Sequence, residues 1–151
     1  MASTTPAVVV GTIGSDAHVV GVTLIEHALK EAGFAVTNLG AQTTRSEFVA
    51  AAEQEDADAV LVSSLDGHAQ QNCEGLHEEL SAAGLDPTTY VGGNLSVGQS
   101  DFADVRREFR RLGFDRVFDP AAGFDAVVEA LRSDLDWSVE ERESEPTRVR
   151  A

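Results

Sequence analysis

Cysteine and lysine are almost missing from this chain of 151 residues, and long apolar runs are missing altogether. Cys73 is the only cysteine, which excludes an internal disulfide and a cysteine-based zinc site and fits a reducing compartment. No apolar run approaches the roughly 18 residues of a membrane span, and the first residues lack the positive charge and apolar stretch of a signal peptide. We therefore expect a cytoplasmic protein without a membrane segment.

Basic residues are also scarce, with eleven against 26 acidic residues and a formal net charge of −15. Ten of the eleven are arginines, and Lys30 is the single lysine. Such a surface repels nucleic acid and anionic membranes, so neither is expected as a partner. Acid excess combined with lysine shortage favours adaptation to molar salt, where the Debye length falls to about 3 Å and self-repulsion is screened. An ordinary acidic protein is the alternative.

The chain does contain a regular alternation of two patterns. Short β-branched runs predict strands, and apolar residues at helical spacing, often closed by a glycine and an apolar residue, predict helices. The predicted strands are residues 7–13, 34–40, 59–65, 88–93 and 116–118. The predicted helices are residues 19–32, about 45–55 after a capping box at Thr44 and Glu47, 71–83, 101–112 and 124–135.

Five strands separated by helices imply a single α/β domain with a parallel sheet and right-handed crossovers. Five such units suit a flavodoxin-like (Rossmann-like) sheet of strand order 2-1-3-4-5, with helices on both faces. We place this domain at residues 1–133. Residues 134–151 are polar and charged without an apolar period, so we expect a flexible C-terminal tail.

Loops rich in polar residues or glycine follow predicted strands 1, 3 and 4. They run from Gly14 to His18, from Ser63 to His68 and from Gly92 to Gly98. Ligands of open α/β sheets bind at the carboxyl ends of the strands near the point where strand order reverses. These loops are therefore expected to converge on one binding site.

The first loop leaves the nature of the ligand open. Phosphate is disfavoured because the loop has neither GxGxxG nor a P-loop lysine, and Asp16 would repel the anion. A receiver-type phosphoacceptor site needs a lysine after a later strand, whereas Lys30 lies in the first predicted helix. His18 could bind a metal while Asp16 orients its imidazole. Zinc would need three or four protein ligands, so one histidine suits a metal already held by a macrocycle.

Motifs in these three loops resemble those of a known family. In chain order they are Asp16-x-His18-x-x-Gly21, Ser63-x-Leu65 and Gly92-Gly93. They are similar to the DxHxxG, SxL and GG motifs of domains that bind cobalamin base-off, with histidine as the lower cobalt ligand. Over residues 7–133, stretches such as VVGTIGSDAHVVG, CEGLHEELSAAGL and VGGNLSVG resemble the small cobalamin-binding subunit of glutamate (methylaspartate) mutases.

The resemblance implies a role for each matching residue. His18 would bind cobalt as its axial ligand, displacing the cofactor's own dimethylbenzimidazole, and Asp16 would orient that imidazole. Ser63 would donate a hydrogen bond to the displaced dimethylbenzimidazole, and Leu65 would line its pocket. The other residues expected at the cofactor are Ser15, Ala17, Val19, Gly21, Ser64, Gly92, Gly93, Asn94, Leu95, Ser96, Val97 and Gly98.

Three positions in these loops depart from the pattern of some relatives. Ala17 stands where some have cysteine, which leaves both key side chains of the first motif in place. Asp66 and His68 also differ, so no role is carried over to them.

The implied activity is the radical carbon-skeleton rearrangement of L-glutamate to (2S,3S)-3-methylaspartate with adenosylcobalamin. The resemblance also implies a larger TIM-barrel subunit that binds glutamate and methylaspartate, in a complex of two small and two large subunits. The chain would then act as an isomerase only with that partner, and no catalytic residue beyond the cobalt ligand is expected in it.

Two alternatives stay open at this point. One is the small subunit of another cobalamin mutase, such as one acting on an acyl-CoA. The other is a corrinoid carrier for methyl transfer. Because about six residues precede predicted strand 1, we expect no helical cap domain of the kind that such carriers usually have.

Several side chains outside the motifs receive a structural interpretation. Cys73 is expected to be a small helix residue rather than a nucleophile, since no catalytic Cys-His arrangement accompanies it. His27 and His77 lie in predicted helices and are expected at the surface. The arginines of the fourth predicted helix are expected on a solvated face; they are Arg106, Arg107, Arg110 and Arg111.

Overall fold

The computed structural model describes residues 5–13, 20–64, 69–93, 102–118 and 123–135. In chain order the elements are β1 (Ala7–Thr12), α1 (Val20–Glu31), β2 (Ala35–Asn38), α2 (Arg45–Glu55), β3 (Ala59–Ser64), α3 (Ala69–Cys73), α4 (Leu76–Ala82), β4 (Thr88–Gly93), α5 (Phe102–Leu112), β5 (Arg116–Phe118) and α6 (Phe124–Asp134). The strands form one parallel sheet in the order β2-β1-β3-β4-β5. The predicted flavodoxin-like fold and its strand order are confirmed. None of these helices is long and apolar enough to cross a membrane.

Helices cover both faces of the sheet, and each layer encloses a separate apolar cluster. On one face, which we call the α1–α6 face, Leu29 and Leu131 are fully buried against the strands. On the other face, which we call the α2–α5 face, the buried side chains include Phe48, Leu76 and Phe109. Successive strand residues alternate between the two faces because the side chains of a strand point to opposite sides.

Three helices end at the glycines that predicted their ends, Gly33, Gly84 and Gly113, which have φ angles of 99°, 79° and 122°. After each glycine the next amide donates a hydrogen bond to the carbonyl five residues earlier, as Phe34 does to Leu29 at 3.0 Å. This is the Schellman motif, and it returns the apolar residue after the glycine to the core. The capping box predicted at Thr44 and Glu47 is also present at the start of α2.

The single helix predicted over residues 71–83 is in fact two helices. α3 ends at Cys73 and α4 begins at Leu76, because Gly75 between them has a φ of 88°. Glycine adopts this left-handed conformation at little cost, and it ends the helical path. Cys73 is fully buried, and burial raises the pKa of its thiol to about 12, which agrees with a structural rather than a nucleophilic role.

The end of α6 is fastened to the sheet. Asp134 accepts hydrogen bonds from the Arg116 guanidinium at 2.7 and 2.9 Å and another from the hydroxyl of buried Tyr90. The Arg116 hydrogen bonds hold the pKa of the Asp134 carboxyl below its usual range. Asp134 and Leu135 therefore belong to the folded domain rather than to the predicted tail. Residues 136–151 of that tail lie outside the described part of the chain.

His77 is half-buried, so the prediction that it lies at the surface is wrong. Its ring packs edge-on against Phe114, with centroids 4.6 Å apart, and its Nε2 lies 2.9 Å from the Thr89 hydroxyl. Gly113 leaves room for the ring, since a Cβ there would lie 2.5 Å from its Cγ. Burial lowers the pKa of His77, although the nearby negative charges of Asp115 and Glu78 act to raise it. His27, by contrast, is exposed as predicted.

We expect the free energy of unfolding to decrease as the pH falls below about 6.5, the ordinary pKa of histidine. The unfolded chain takes up a proton on His77 there, whereas the folded state, with its lowered pKa, resists protonation. Stability that is fully present above this pH is therefore lost as the pH falls toward the folded-state pKa. Denaturant unfolding at constant KCl on both sides of this window measures the effect.

A matched pair of variants assigns this pH dependence. His77→Gln keeps a polar group near Thr89 but removes the titration, so its stability should vary less with pH than that of the wild type. Gln54→Asn changes an exposed side chain of α2 that carries no titratable group and should keep the wild-type dependence. Equal pH dependence in the wild type and His77→Gln would contradict the assignment.

Candidate functional site

Residues at the carboxyl ends of four strands form one continuous row. Thr12 of β1 pairs with Ser63 of β3, Ser63 with Gly92 of β4, and Gly92 with Phe118 of β5. The residues two positions earlier on β1, β3 and β4 belong to the apolar cluster of the α1–α6 face. By strand alternation the row shares that face. We call Thr12, Ser63, Gly92 and Phe118 the carboxyl row.

The carboxyl row lies where the strand order reverses. From β1 the chain passes through α1 to β2 on one side, whereas β3 leads to β4 on the other. Ligands of open α/β sheets bind at this switch point. Residues 14–19, 65–68 and 94–100 follow the strand ends here and lie outside the described residues. The predicted positions of Asp16, His18, Leu65 and the segment from Asn94 to Gly98 therefore stay predictions.

The carboxyl row leaves space on the α1–α6 face. Ser63 is half-buried, and its neighbour Gly92 has no side chain. A Cβ on Gly92 would lie 3.5 Å from the Phe118 Cβ, an ordinary contact. On the opposite face, a Cβ on Gly11 would lie only 3.0 Å from the Phe48 Cζ. Among the described residues the two faces therefore differ at this edge, since Gly92 is less tightly packed than Gly11.

The structure separates the two serines predicted at the site. Ser63 is half-buried on the α1–α6 face, whereas Ser64 is fully buried and alternates with Val62 on the α2–α5 face. Gly93 pairs with Ser64, just as Gly92 pairs with Ser63. The row therefore brings Ser63 and Gly92 together, and it does not include Ser64 or Gly93.

The sequence analysis did not include Thr12 and Phe118 in the site. Thr12 is fully buried, and the Phe118 ring lies 5.2 Å from the ring of Tyr90. The alternation of side chains along β1 could have indicated Thr12, because this polar residue shares a face of the strand with Val8 and Val10. Phe118 is selected by the pairing of β4 with β5, which no local pattern reveals.

The described residues offer a binding surface rather than a metal centre. Within them, no three or more His, Cys, Asp or Glu side chains are grouped so as to hold a metal ion. Gly21, the last residue of the first motif, lies in the first turn of α1. That turn begins at the sheet edge that carries the row, because α1 follows the carboxyl end of β1.

Comparison with known proteins connects these features to a family. Residues 6–129 match the B12 binding domain family. Over 151 residues the chain is 61% identical to the glutamate mutase sigma subunit of Halobacterium salinarum, and the match covers all of both proteins. It is 51% identical over 128 residues to the sigma subunit of Carboxydothermus hydrogenoformans, which covers 84% of this chain and 93% of the relative.

Solved structures share the fold at low sequence identity. A cobalamin-binding protein from Desulfitobacterium hafniense matches with a TM-score of 0.68 and 22% identity, over 84% of this chain and 58% of that one. The receiver domain of a putative response regulator from Mycobacterium tuberculosis matches with a TM-score of 0.61 and 15% identity, over 87% and 97%. The fold is therefore common to chains with different ligands, and the motifs must distinguish them.

The looser packing at Gly92 than at Gly11 among the described residues predicts unequal outcomes for two glycine-to-alanine substitutions. Gly92→Ala adds a methyl group at ordinary contact distance and should change stability by less than about 1 kcal/mol. Gly11→Ala forces a methyl group against Phe48 and should cost about 1–3 kcal/mol. Denaturant unfolding at fixed salt and pH measures both. Equal losses in the two variants would show that the row is packed as tightly as the opposite face.

Proposed function

This chain belongs to the glutamate mutase sigma subunits, within the B12-binding domain family, and we propose that it binds adenosylcobalamin for a larger, glutamate-binding subunit. The observation that carries the proposal is the carboxyl row. It places a half-buried serine beside a glycine at the switch point of the sheet. The DxHxxG motif follows the first strand of that row.

The carboxyl row fits the nucleotide tail of a base-off cobalamin. Dimethylbenzimidazole is a flat apolar ring system with one basic nitrogen, so it needs an apolar slot that contains a single donor. Gly92 leaves the space beside Ser63, and Phe118 contributes an apolar wall. We assign the Ser63 hydroxyl to donate the hydrogen bond to that nitrogen, because its face is the open one.

His18 and Asp16 are assigned to the cobalt end of the cofactor. β1 ends at Thr12 and α1 begins at Val20, so the chain between them starts and finishes at the edge of the row. An imidazole that binds metal through one nitrogen donates from the other. A carboxylate that accepts this hydrogen bond fixes the tautomer and makes the imidazole a better ligand. We assign the role of this carboxylate to Asp16.

The other predicted residues are assigned to surround the cofactor. The residues nearest His18 would contact the corrin ring from below, and those after β3 and β4 would cover the nucleotide tail. They are Ser15, Ala17, Val19, Gly21, Ser64, Leu65, Gly93, Asn94, Leu95, Ser96, Val97 and Gly98. Since Ser64 faces the opposite layer, its contribution should be smaller than that of Ser63.

The reaction that we propose is the interconversion of L-glutamate and (2S,3S)-3-methylaspartate. Adenosylcobalamin, when bound, supplies the carbon-centred radical that this rearrangement needs. The residues of this chain bind the cofactor, orient it and exclude water from its lower side. Substrate binding and enclosure of the upper side are assigned to a TIM-barrel partner, in a complex of two small and two large subunits. The similarity to the Halobacterium glutamate mutase sigma subunit, named as one subunit of an enzyme, supports such a division.

We propose that this complex assembles in molar salt. The chain carries a net charge of −15 with one lysine, and its relative over full length comes from Halobacterium salinarum. We propose that the larger subunit shares this acidic surface. The two subunits would then repel one another at low ionic strength, and this repulsion is screened when the Debye length falls to about 3 Å at 1 M salt.

Removal of the imidazole of His18 should abolish tight cofactor binding. Loss of a partner that only orients a metal ligand costs about 10–100-fold in affinity, so loss of the ligand itself in His18→Ala should cost more than about 10-fold. Cobalamin titration followed by absorbance measures this loss. His27→Ala removes an exposed histidine of α1 and should bind like the wild type.

Electron paramagnetic resonance of the cob(II)alamin complex identifies the axial ligand directly. Protein labelled with ¹⁵N-histidine should change the nitrogen splitting from a triplet to a doublet, because the nitrogen on cobalt belongs to the protein. An unchanged triplet would mean that dimethylbenzimidazole stays on cobalt, and it would refute the assignment of His18.

The two faces of β3 predict unequal effects for its two serines. Ser63→Ala removes the donor assigned to the nucleotide tail and should weaken cobalamin binding by about 1 kcal/mol or more, the ordinary value of such a hydrogen bond. Ser64→Ala should weaken binding less and should change the stability of the apoprotein more, because Ser64 is fully buried. Calorimetric titration and unfolding of both variants test the order, and a larger binding loss in Ser64→Ala would overturn it.

A further inference from the structure

A second row of side chains lies beneath the carboxyl row, two residues nearer the amino edge of the sheet. Its members pair across β1, β3, β4 and β5 in the order Val10, Leu61, Tyr90 and Arg116. Each precedes a member of the carboxyl row by two positions on its strand, so both rows share the α1–α6 face. We call these four residues the lower row.

Tyr90 lies beneath the position that Gly92 occupies in the carboxyl row. Because Gly92 has no side chain, Tyr90 carries the first side chain below it on this face of β4. The ring of Tyr90 is fully buried, and its centroid lies 5.2 Å from that of Phe118. The ring therefore forms the base of the space beside Ser63, next to the apolar wall that Phe118 contributes.

The hydroxyl of Tyr90 connects this base to α6. It donates a hydrogen bond to the carboxylate of Asp134, the last residue of α6. The Arg116 guanidinium donates two more hydrogen bonds to the same carboxylate, at 2.7 and 2.9 Å. Two neighbours of the lower row therefore hold one residue of the helix. We call these three hydrogen bonds the Asp134 network.

α6 runs along this face from the carboxyl edge of the sheet to the amino edge. It begins at Phe124 and ends at Asp134, and Val128 and Leu131 between them are buried in the same apolar cluster as Tyr90. Its eleven residues make a helix about 16 Å long. Since so short a helix moves as a stiff rod, hydrogen bonds at its end restrict its tilt and sliding along its whole length. The Asp134 network therefore acts on the half of α6 that lies nearer the carboxyl row.

The end of a helix is an unfavourable place for a carboxylate. The carboxyl end of a helix carries a partial negative charge, so acidic side chains there lower stability and basic ones raise it. At Asp134 this cost is offset by the hydrogen bonds from Arg116, which also lower the pKa of the carboxyl and keep it ionised. A residue that breaks a local rule is expected where it serves a site rather than its own helix.

We propose that the Asp134 network positions the slot for the nucleotide tail, with Asp134 and Tyr90 as positioning residues. The network fixes the ring of Tyr90 beneath Gly92, and it holds α6 at the distance from the sheet that admits a flat base beside Ser63. Asp134 acts through Tyr90 and α6 rather than by contact with the cofactor. This inference rests on the proposed function, because it requires the nucleotide tail to lie on the α1–α6 face.

Two corrinoids with the same upper ligand separate the nucleotide tail from the corrin ring. Methylcobalamin carries the tail, and methylcobinamide lacks it. Asp134→Asn keeps the size of the side chain but removes the charge that binds Arg116. It should weaken methylcobalamin binding about tenfold, the order of a hydrogen bond to a charged group, and change methylcobinamide binding less than about twofold. Calorimetric titration at fixed salt and pH measures both affinities.

Two further variants separate positioning from damage to the fold. Tyr90→Phe keeps the buried ring and removes only the hydroxyl, so it should show the selective loss of methylcobalamin binding without a charge change in the domain. Glu129→Gln makes the same charge change as Asp134→Asn at an exposed position of α6, where it breaks an ion pair with Arg132. This control should bind both corrinoids like the wild type.

The comparison of the two corrinoids decides the inference. Equal weakening of both by Asp134→Asn and Tyr90→Phe would mean that the network only stabilises the domain, and unchanged methylcobalamin binding would mean that it does not act on the slot. Either result would overturn the inference while leaving the proposed function intact. Failure of the proposed function would appear in the wild type instead, as methylcobalamin that does not bind or keeps dimethylbenzimidazole on cobalt, and the inference would fail with it.

Discussion

The parallel register of β1, β3, β4 and β5 is the constraint on which the site depends. It aligns Thr12, Ser63, Gly92 and Phe118 across four strands and puts all of them on one face. Because side chains alternate along a strand, a shift of one residue in any pairing would turn that strand's member of the row to the opposite layer. The register is held by side chains that fill both faces below the row, among which Val60 on the α2–α5 face and Ala59 on the α1–α6 face are completely buried.

The two edges of the sheet have different chemistry. The carboxyl edge carries hydroxyl, glycine and aromatic residues, which suit a flat, largely apolar ligand with few polar atoms. At the amino edge and beside β5, the ion pair between Arg116 and Asp134 fastens α6, and arginines gather in a chain that is otherwise strongly acidic. The proposed cofactor site and the contact that fastens the C-terminal helix therefore lie in separate parts of one small domain.

Local patterns predicted what depends on local physics. β-branched runs gave the five strands, and glycine followed by an apolar residue marked three helix ends, because a left-handed residue closes a helix wherever it occurs. Gly75 divides one predicted helix into α3 and α4, and it was missed although apolar Leu76 follows it. The apolar residues Cys73, Leu76 and Leu80 keep a helical spacing across the glycine, so the pattern indicates one continuous helix. The burial of His77 depends on space left by Gly113, 36 residues later in sequence, and no local periodicity predicts such a distant contact.

For the site, the motifs indicated Ser63 and Gly92. Only the register between strands adds Thr12 and Phe118 and distinguishes Ser63 from Ser64.

The central claim is that the α1–α6 face of the carboxyl row holds the nucleotide tail of cobalamin. Amide chemical shifts of ¹⁵N-labelled protein, recorded with and without diamagnetic cyanocobalamin, test it most directly. The account predicts that the largest changes in the described part of the chain fall on Thr12, Ser63, Gly92, Phe118 and the facing residues of α1 and α6. Changes confined to α2, α4 and α5, or none at the row with saturating cobalamin, would contradict it.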